Sequence, residues 1–249
     1  VTAYYSEHDA GAAAWLRELI ADGQIPAGHV DDRDILDVCP NDLAGYTHCH
    51  FFAGIGGWAL ALRLAGWPDN RPVWTGSCPC QSFSAAGAGR GFVDERHLWP
   101  AWFDLIARCR PPVVFGEQVE AAIGHGWLDL VQDDLEGIGY AVAPVGLPAA
   151  CIGAPHARQR LWFVADTGWT DTDRCEGDWR DIRVSIRRQR GEKDHEAIPH
   201  PPRSLWADQP RPPIVAHGIS ASVELVCGYG NAIVPQVAAE VIAAYMEIA

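Results

Sequence analysis

The run Thr47-His48-Cys49-His50-Phe51-Phe52 passes without a break into Ala53-Gly54-Ile55-Gly56-Gly57 and then into the helical spacing of residues 58–65. A strand that ends in a glycine turn and continues as a helix is the opening half of a βαβ unit, and it commits a chain to parallel strands joined by crossover helices. Pro72-Val73-Trp74-Thr75 supplies the returning strand. The same alternation is legible on either side. Residues 2–6 read as a strand, and Asp9 can cap a helix over 10–22 with Ala14, Trp15, Leu19 and Ile20 on one face. A second strand is expected over 25–30. Downstream, helices are expected over 99–108 and 127–138, and strands over 113–117, 140–145 and 161–165. Helical spacing returns at 220–226 and 235–247. From Asp166 to about Pro213 the period is lost and Pro, Arg, Asp and Trp dominate. The expectation is an α/β fold with a mostly parallel, Rossmann-like sheet, helices on both faces, and a small irregular insert. Residues 1–165 and 214–249 would form the main domain and 166–213 the insert.

A length of 249 residues suits one domain with such an insert, and 48% hydrophobic content can fill its core. No run of 18 apolar residues is present, so no membrane span is expected. The opening Val1-Thr2-Ala3-Tyr4-Tyr5-Ser6-Glu7 lacks the charged-then-apolar pattern of a signal peptide. The eight cysteines are scattered, and none has zinc spacing with other Cys or His. A reduced, cytoplasmic protein without metal is expected. The net charge of −13 argues against nucleic acid until its distribution is considered. Residues 151–215 carry 11 Arg+Lys against 10 Asp+Glu, whereas the other 184 residues carry 8 against 22. Within the first group Arg183-Val184-Ser185-Ile186-Arg187-Arg188-Gln189-Arg190 holds four positive charges and no negative one. Screening confines fields to about 10 Å, so a local basic stripe can contact phosphates whatever the total charge. The plain alternative is a solvated surface helix.

Two stretches carry chemistry. Strand 72–75 hands Gly76-Ser77-Cys78-Pro79-Cys80-Gln81-Ser82-Phe83-Ser84 to the small-residue run Ala85-Ala86-Gly87-Ala88-Gly89-Arg90-Gly91. A cysteine fixed at its base and followed by a flap suits a nucleophile, although a buried thiol that only fills the core is the bland reading of Cys80. Gly54-Ile55-Gly56-Gly57-Trp58-Ala59 fits G-x-G-x-x-A between strand and helix, where a ligand can approach the backbone. The dinucleotide version also needs an acidic residue about 20 positions on. Val73-Trp74-Thr75-Gly76-Ser77 offers none, which disfavours a nicotinamide enzyme.

Taken together these residues resemble the DNA cytosine-C5 methyltransferases of bacteria and phage. Phe52-Ala53-Gly54-Ile55-Gly56-Gly57 looks like their first motif, which binds S-adenosyl-L-methionine, and Pro79-Cys80-Gln81 like their nucleophile motif. Glu117-Gln118-Val119 resembles their Glu-Asn-Val motif, with Gln118 for Asn. Pro155-His156-Ala157-Arg158-Gln159-Arg160 resembles their Gln-x-Arg-x-Arg motif, with His156 for Gln. Gly230-Asn231-Ala232-Ile233-Val234-Pro235 looks like their last motif. The order and spacing of the five agree over residues 47–249. The family's second and third motifs do not follow the first here. Instead Tyr4-Tyr5-Ser6-Glu7-His8-Asp9 and Asp34-Ile35 lie upstream of it. The resemblance thus implies a permuted order, in which residues 1–46 are the cofactor-binding segment. Glu7 would hold the ribose hydroxyls, Asp34 (or Asp31) the adenine amino group, and His8 would lie against the adenine. An unrelated N-terminal extension is the alternative.

On this resemblance Cys80 would add to C6 of cytosine, making C5 able to attack the sulfonium methyl and leaving S-adenosyl-L-homocysteine. Glu117 would hydrogen-bond or protonate N3 and bind the 4-amino group. Arg160 would bind O2, and Arg158 would support Glu117 or a phosphate. Pro79, Asn231 and Ala232 would border the cofactor, with the helix from Pro235 closing its site. The target base must be flipped out of double-stranded DNA. Residues 81–97 would form the flap, with Gln81, Ser84, Arg90 and Arg96 near DNA. Trp99 and Trp102 are expected in the core. The insert would read a site of about two to four base pairs, contacting it through Arg183, Arg187, Arg188 and Arg190. A monomer is expected. RNA as substrate and a non-catalytic DNA-binding relative are the competing possibilities.

Overall fold

The computed structural model describes residues 2–79, 98–154, 158–168 and 232–249. Seven strands, β1 (Ala3–Ser6), β2 (Gly28–Asp31), β3 (His48–Phe51), β4 (Val73–Gly76), β5 (Val113–Val119), β6 (Ala141–Pro148) and β7 (Gln159–Asp166), form one sheet in the order β2-β1-β3-β4-β5-β7-β6. The first five pair in parallel, and β7 runs antiparallel to both β5 and β6. The mostly parallel sheet expected from the alternation is therefore present, with one reversed strand. Among the described residues five helices accompany it: α1 (Ala10–Ala21), α2 (Gly57–Ala65), α3 (Trp99–Cys109), α4 (Trp127–Gly137) and α5 (Pro235–Ile248). Among the described residues no helix is long and apolar enough to cross a membrane.

Strand alternation sorts the core into two faces. Tyr4, Phe51, Trp74, Val114 and Phe163 pack with Trp99, Trp102, Ile106, Trp127 and Val131 of α3 and α4. Val73, Phe115, Trp162 and Val164 pack on the other side with Trp58 and Leu62 of α2 and Val237, Val241 and Tyr245 of α5. A smaller cluster beneath α1 joins Ala3, Tyr5, Ile25 and Ala59. Trp99 and Trp102 are fully buried, as expected. Two glycines paired across β4 and β5 let aromatic rings press on the sheet. A Cβ on Gly76 would sit 2.6 Å from the Trp102 ring, and one on Gly116 would sit 2.0 Å from Phe163. These close approaches lie directly beneath the residues that leave β4 and β5 for the candidate site.

Three local expectations need correction. The buried face of α1 is Ala13 and Leu16, while Trp15 is 46% exposed. Asp9 caps the helix as expected, accepting from Ala12 N–H at 2.8 Å, but that cap fixes a phase turning Ala14 and Trp15 to solvent. β2 begins at Gly28 rather than Ile25. Ile25 drops into the cluster under α1, and the Pro26 carbonyl is taken by the Tyr5 hydroxyl at 2.8 Å. β6 extends through Pro144 to Pro148, because it is an edge strand where a missing N–H costs no ladder bond. The stretch 220–226 lies outside the described residues.

Candidate active site

The first, third, fourth and fifth strands deliver their carboxyl ends to one edge, the side where open α/β sheets bind ligands. β3 ends in a turn that reverses the chain through Phe52 (φ 52°), Gly54 (φ 53°) and Gly56 (φ 80°), and α2 starts at Gly57. Gly54 donates its N–H to Glu7 Oε2 at 2.6 Å, and Glu7 Oε1 accepts from Asp9 N–H at 2.9 Å. The carboxylate at the end of β1 thus touches the glycine turn, although 47 residues separate the two in sequence. A Cβ on Gly54 would meet nothing within 4 Å, so space lies open over the turn. An acceptor-only carboxylate beside an open, N–H-lined turn is a donor set that fits a ribose-bearing cofactor. His8 is exposed.

Of the two aspartates considered for the adenine, Asp31 is already committed. It is buried and accepts from the Tyr4 hydroxyl at 2.7 Å and from Arg33 Nη2 at 2.6 Å. Hydrogen bonding from Arg33, chiefly, holds its carboxyl well below the usual range despite burial. Asp34 caps the short 3-10 turn Ile35–Asp37 through one oxygen, accepting from Leu36 N–H at 3.0 Å.

On the other side of the glycine turn stands Glu117, 7% exposed. It lies one residue past the last β4–β5 pair, Gly76 with Gly116. β5 continues beyond β4 because β7 pairs with it as far as Val119 and Arg160. The same antiparallel pairing brings Arg160 back alongside Glu117, with Nε 2.9 Å from Oε1. Burial pushes the Glu117 carboxyl up, opposed by Arg160, a Ser77 hydrogen bond and Arg158. Arg160 makes this ion pair, and Arg158 Nη2 donates to the Ala232 carbonyl at 2.6 Å. Arg158 sits at φ 27°, and burial together with Arg160 lowers its pKa. Gln118, the family's Asn replaced, is 2% exposed. Its Nε2 donates to the Cys78 carbonyl at 3.3 Å, and its Oε1 accepts from Val119 N–H at 2.9 Å. The longer amide thus pins the loop base two residues before Cys80.

The structure therefore gathers Glu7, Phe52, Ala53, Gly54, Ile55, Gly56, Gly57, Pro79, Glu117, Arg158, Arg160 and Ala232 around one edge of the sheet. Cys80, Gln81, Ser84, Arg90, Arg96, His156, Arg183, Arg187, Arg188, Arg190 and Asn231 lie outside the described residues. Three residues with site contacts were not singled out from the sequence as site residues: Ser77, Trp58 and the buried amide of Gln118. Their partners lie on other strands, and no spacing within one segment signals them.

A family model for the C-5 cytosine-specific DNA methylases matches residues 67–174, a span that holds Cys80, Glu117, Arg158 and Arg160. Over that span the chain is similar to the cytosine-C5 methyltransferases. The chain is 34% identical over 113 residues to the type II methyltransferase M.AplI of Arthrospira platensis, covering 44% of this chain and 32% of that one. It is 25% identical over 172 residues to the type II methyltransferase M.HhaI of Haemophilus parahaemolyticus, covering 52% of each. An orphan methyltransferase of Bacillus phage rho11s is 29% identical over 93 residues, covering 36% of this chain and 18% of that one. The chain spans about a third to a half of the length of the first two relatives. Among solved structures, the S. pombe Dnmt2 methyltransferase superposes with a TM-score of 0.45 at 14% identity, covering 74% of this chain and 55% of that one.

Proposed function

We propose that this chain transfers a methyl group from S-adenosyl-L-methionine to C5 of a flipped-out cytosine in double-stranded DNA. The observation that carries the proposal is the buried Glu117–Arg160 pair, one strand away from the base of the Cys80 loop and on the same sheet edge as the glycine turn. When bound, the cofactor supplies an electrophilic methyl on sulfur. Glu7 would accept from the ribose hydroxyls, Asp34 rather than the committed Asp31 would accept from the adenine amino group, and the turn from Phe52 to Gly57 would take the remainder. Pro79, Asn231 and Ala232 would border that site, with His8 at its rim.

Cys80, as thiolate, would add to C6 and place negative charge on the ring. Glu117 would answer that charge at N3 and accept from the 4-amino group. A carboxyl pushed up by burial is better suited to carry a proton there than an exposed one. Arg160 would hold O2 while its Nε stays on Glu117. Arg158 fastens the last motif to the strand that bears Arg160. Loss of the C5 proton and expulsion of Cys80 would complete the exchange. Gln81, Ser84, Arg90 and Arg96 are proposed to meet DNA from the flap, and Arg183, Arg187, Arg188 and Arg190 from an insert over residues 166–213. We infer further that the family's second and third strands come first in this chain. The parallel placement of β1 and β2 beside β3, with Glu7 on Gly54, supports this. We assign the protein to the cytoplasm of a bacterial or phage-infected cell, as a monomer.

Transfer of labelled methyl from S-adenosyl-L-methionine to duplex DNA tests the proposal, with RNA and Cys80→Ser run beside it. Label should enter DNA with the wild-type protein only, and the protein should be trapped covalently on DNA containing 5-fluorocytosine. Undiminished transfer by Cys80→Ser, or label in RNA alone, would overturn it.

A further inference from the structure

We propose that Ser77 is a positioning residue which couples the helix of the glycine turn to the buried carboxyl, through the side-chain chain Trp58–Ser77–Glu117. The inference rests on the methyl-transfer function proposed above and names a residue of this chain that none of the family motifs contains. Gly76 and Gly116 are register partners in the parallel β4–β5 pair, so the next residue on each strand, Ser77 and Glu117, sits side by side. Parallel neighbours in register send their side chains to the same face of a sheet.

Trp58 Nε1–H donates to Ser77 Oγ at 3.1 Å. Trp58 is 2% exposed and its ring is packed against Phe115 and Trp162, so the indole N–H is held in place. An indole N–H can only donate, so Ser77 must accept from it and keeps its single hydroxyl proton for another partner. The group beside it in register is Glu117, whose carboxyl Ser77 favours in its charged form against the effect of burial. With Arg160 Nε already on Oε1, Glu117 faces two donors. Both steady its charged form, and a proton carried by Glu117 is confined to the edge that neither donor covers. Trp58 follows directly on Gly57, the first residue of α2. A shift of the glycine turn therefore reaches the proton-bearing carboxyl through two hydrogen bonds.

The test is the titration of Glu117, followed by carbon-13 NMR of protein labelled at the glutamate carboxyls and assigned with Glu117→Gln. Ser77→Ala should raise the midpoint by about one unit, as expected for loss of one hydrogen bond to a charged group. Ser77→Thr should restore it, and Trp58→Phe should raise it by less, because the freed hydroxyl can still turn toward Glu117. In methyl-transfer assays the alkaline limb of the kcat profile should move with the midpoint while KM for S-adenosyl-L-methionine holds. An unmoved midpoint in Ser77→Ala, or a Ser77→Thr variant that titrates like Ser77→Ala, would overturn the coupling. A wild-type protein that titrates as described yet methylates nothing would overturn the function and leave the coupling standing.

Discussion

Glu117 is the residue on which chemistry and folding press in opposite directions. Its burial penalises the charge, while Arg160, Ser77 and Arg158 restore it. The balance leaves the carboxyl above its ordinary value near 4.5, so its stabilising contribution is complete below that value and is lost as pH rises through the folded pKa. Glu117→Gln keeps the shape but cannot carry the proton, and it strips Arg160 of its partner. Single-turnover methylation by Glu117→Gln should fall about 100-fold or more, with DNA affinity within a few-fold of wild type. Equal loss in rate and affinity would instead mark Glu117 as a binding group.

At the scale of elements, the start of α2 is held between the glycine turn and the chain's last segment. Gly56 caps the helix in the left-handed conformation, and a Cβ on Gly57 would come within 2.7 Å of Ile233 Cγ1. The glycine is needed there for closeness, since it lets the segment leading into α5 lie on the first turn of α2. Gly57→Ala should destabilise the protein by about 1–3 kcal/mol, the range for overpacking. The cost should shrink in an Ile233→Ala background, where the opposing atoms are gone. A denaturant double-mutant cycle measures the difference, and full additivity would show that Ile233 is not what makes position 57 intolerant.

At the scale of the whole molecule, two histidines among the described residues lie inside the sheet. His48 and His50 alternate along β3, 2% and 1% exposed, and His50 Nδ1 lies 2.7 Å from Thr75 Oγ1. Burial lowers both, with His50 taken down to about 3, and Asp69 partly opposes the effect at His48. The folded protein therefore keeps them neutral while the unfolded chain takes up protons from an ordinary value of 6.5. Stability should be full above pH 6.5 and fall below it, by up to about 1.4 kcal/mol per pH unit for each histidine. Urea melts between pH 7 and 5 read the slope. His50→Gln should flatten it by roughly the share of one histidine.

Much of this was legible in the linear chain, and for a definite reason. The βαβ alternation, the Asp9 cap and the glycine turn are local patterns, set by propensity and by side-chain chemistry within a few residues. Only tertiary structure decided which partners those residues meet. It spent Asp31 on Tyr4 and Arg33, gave Glu117 to Arg160, turned Trp15 outward, and let β6 run through two prolines. Each of those outcomes depends on strand order and register, which bring together groups far apart in the chain, as in Glu7 and Gly54, 47 positions apart. A periodicity says which face a residue occupies, but what waits on that face is decided by the element packed against it.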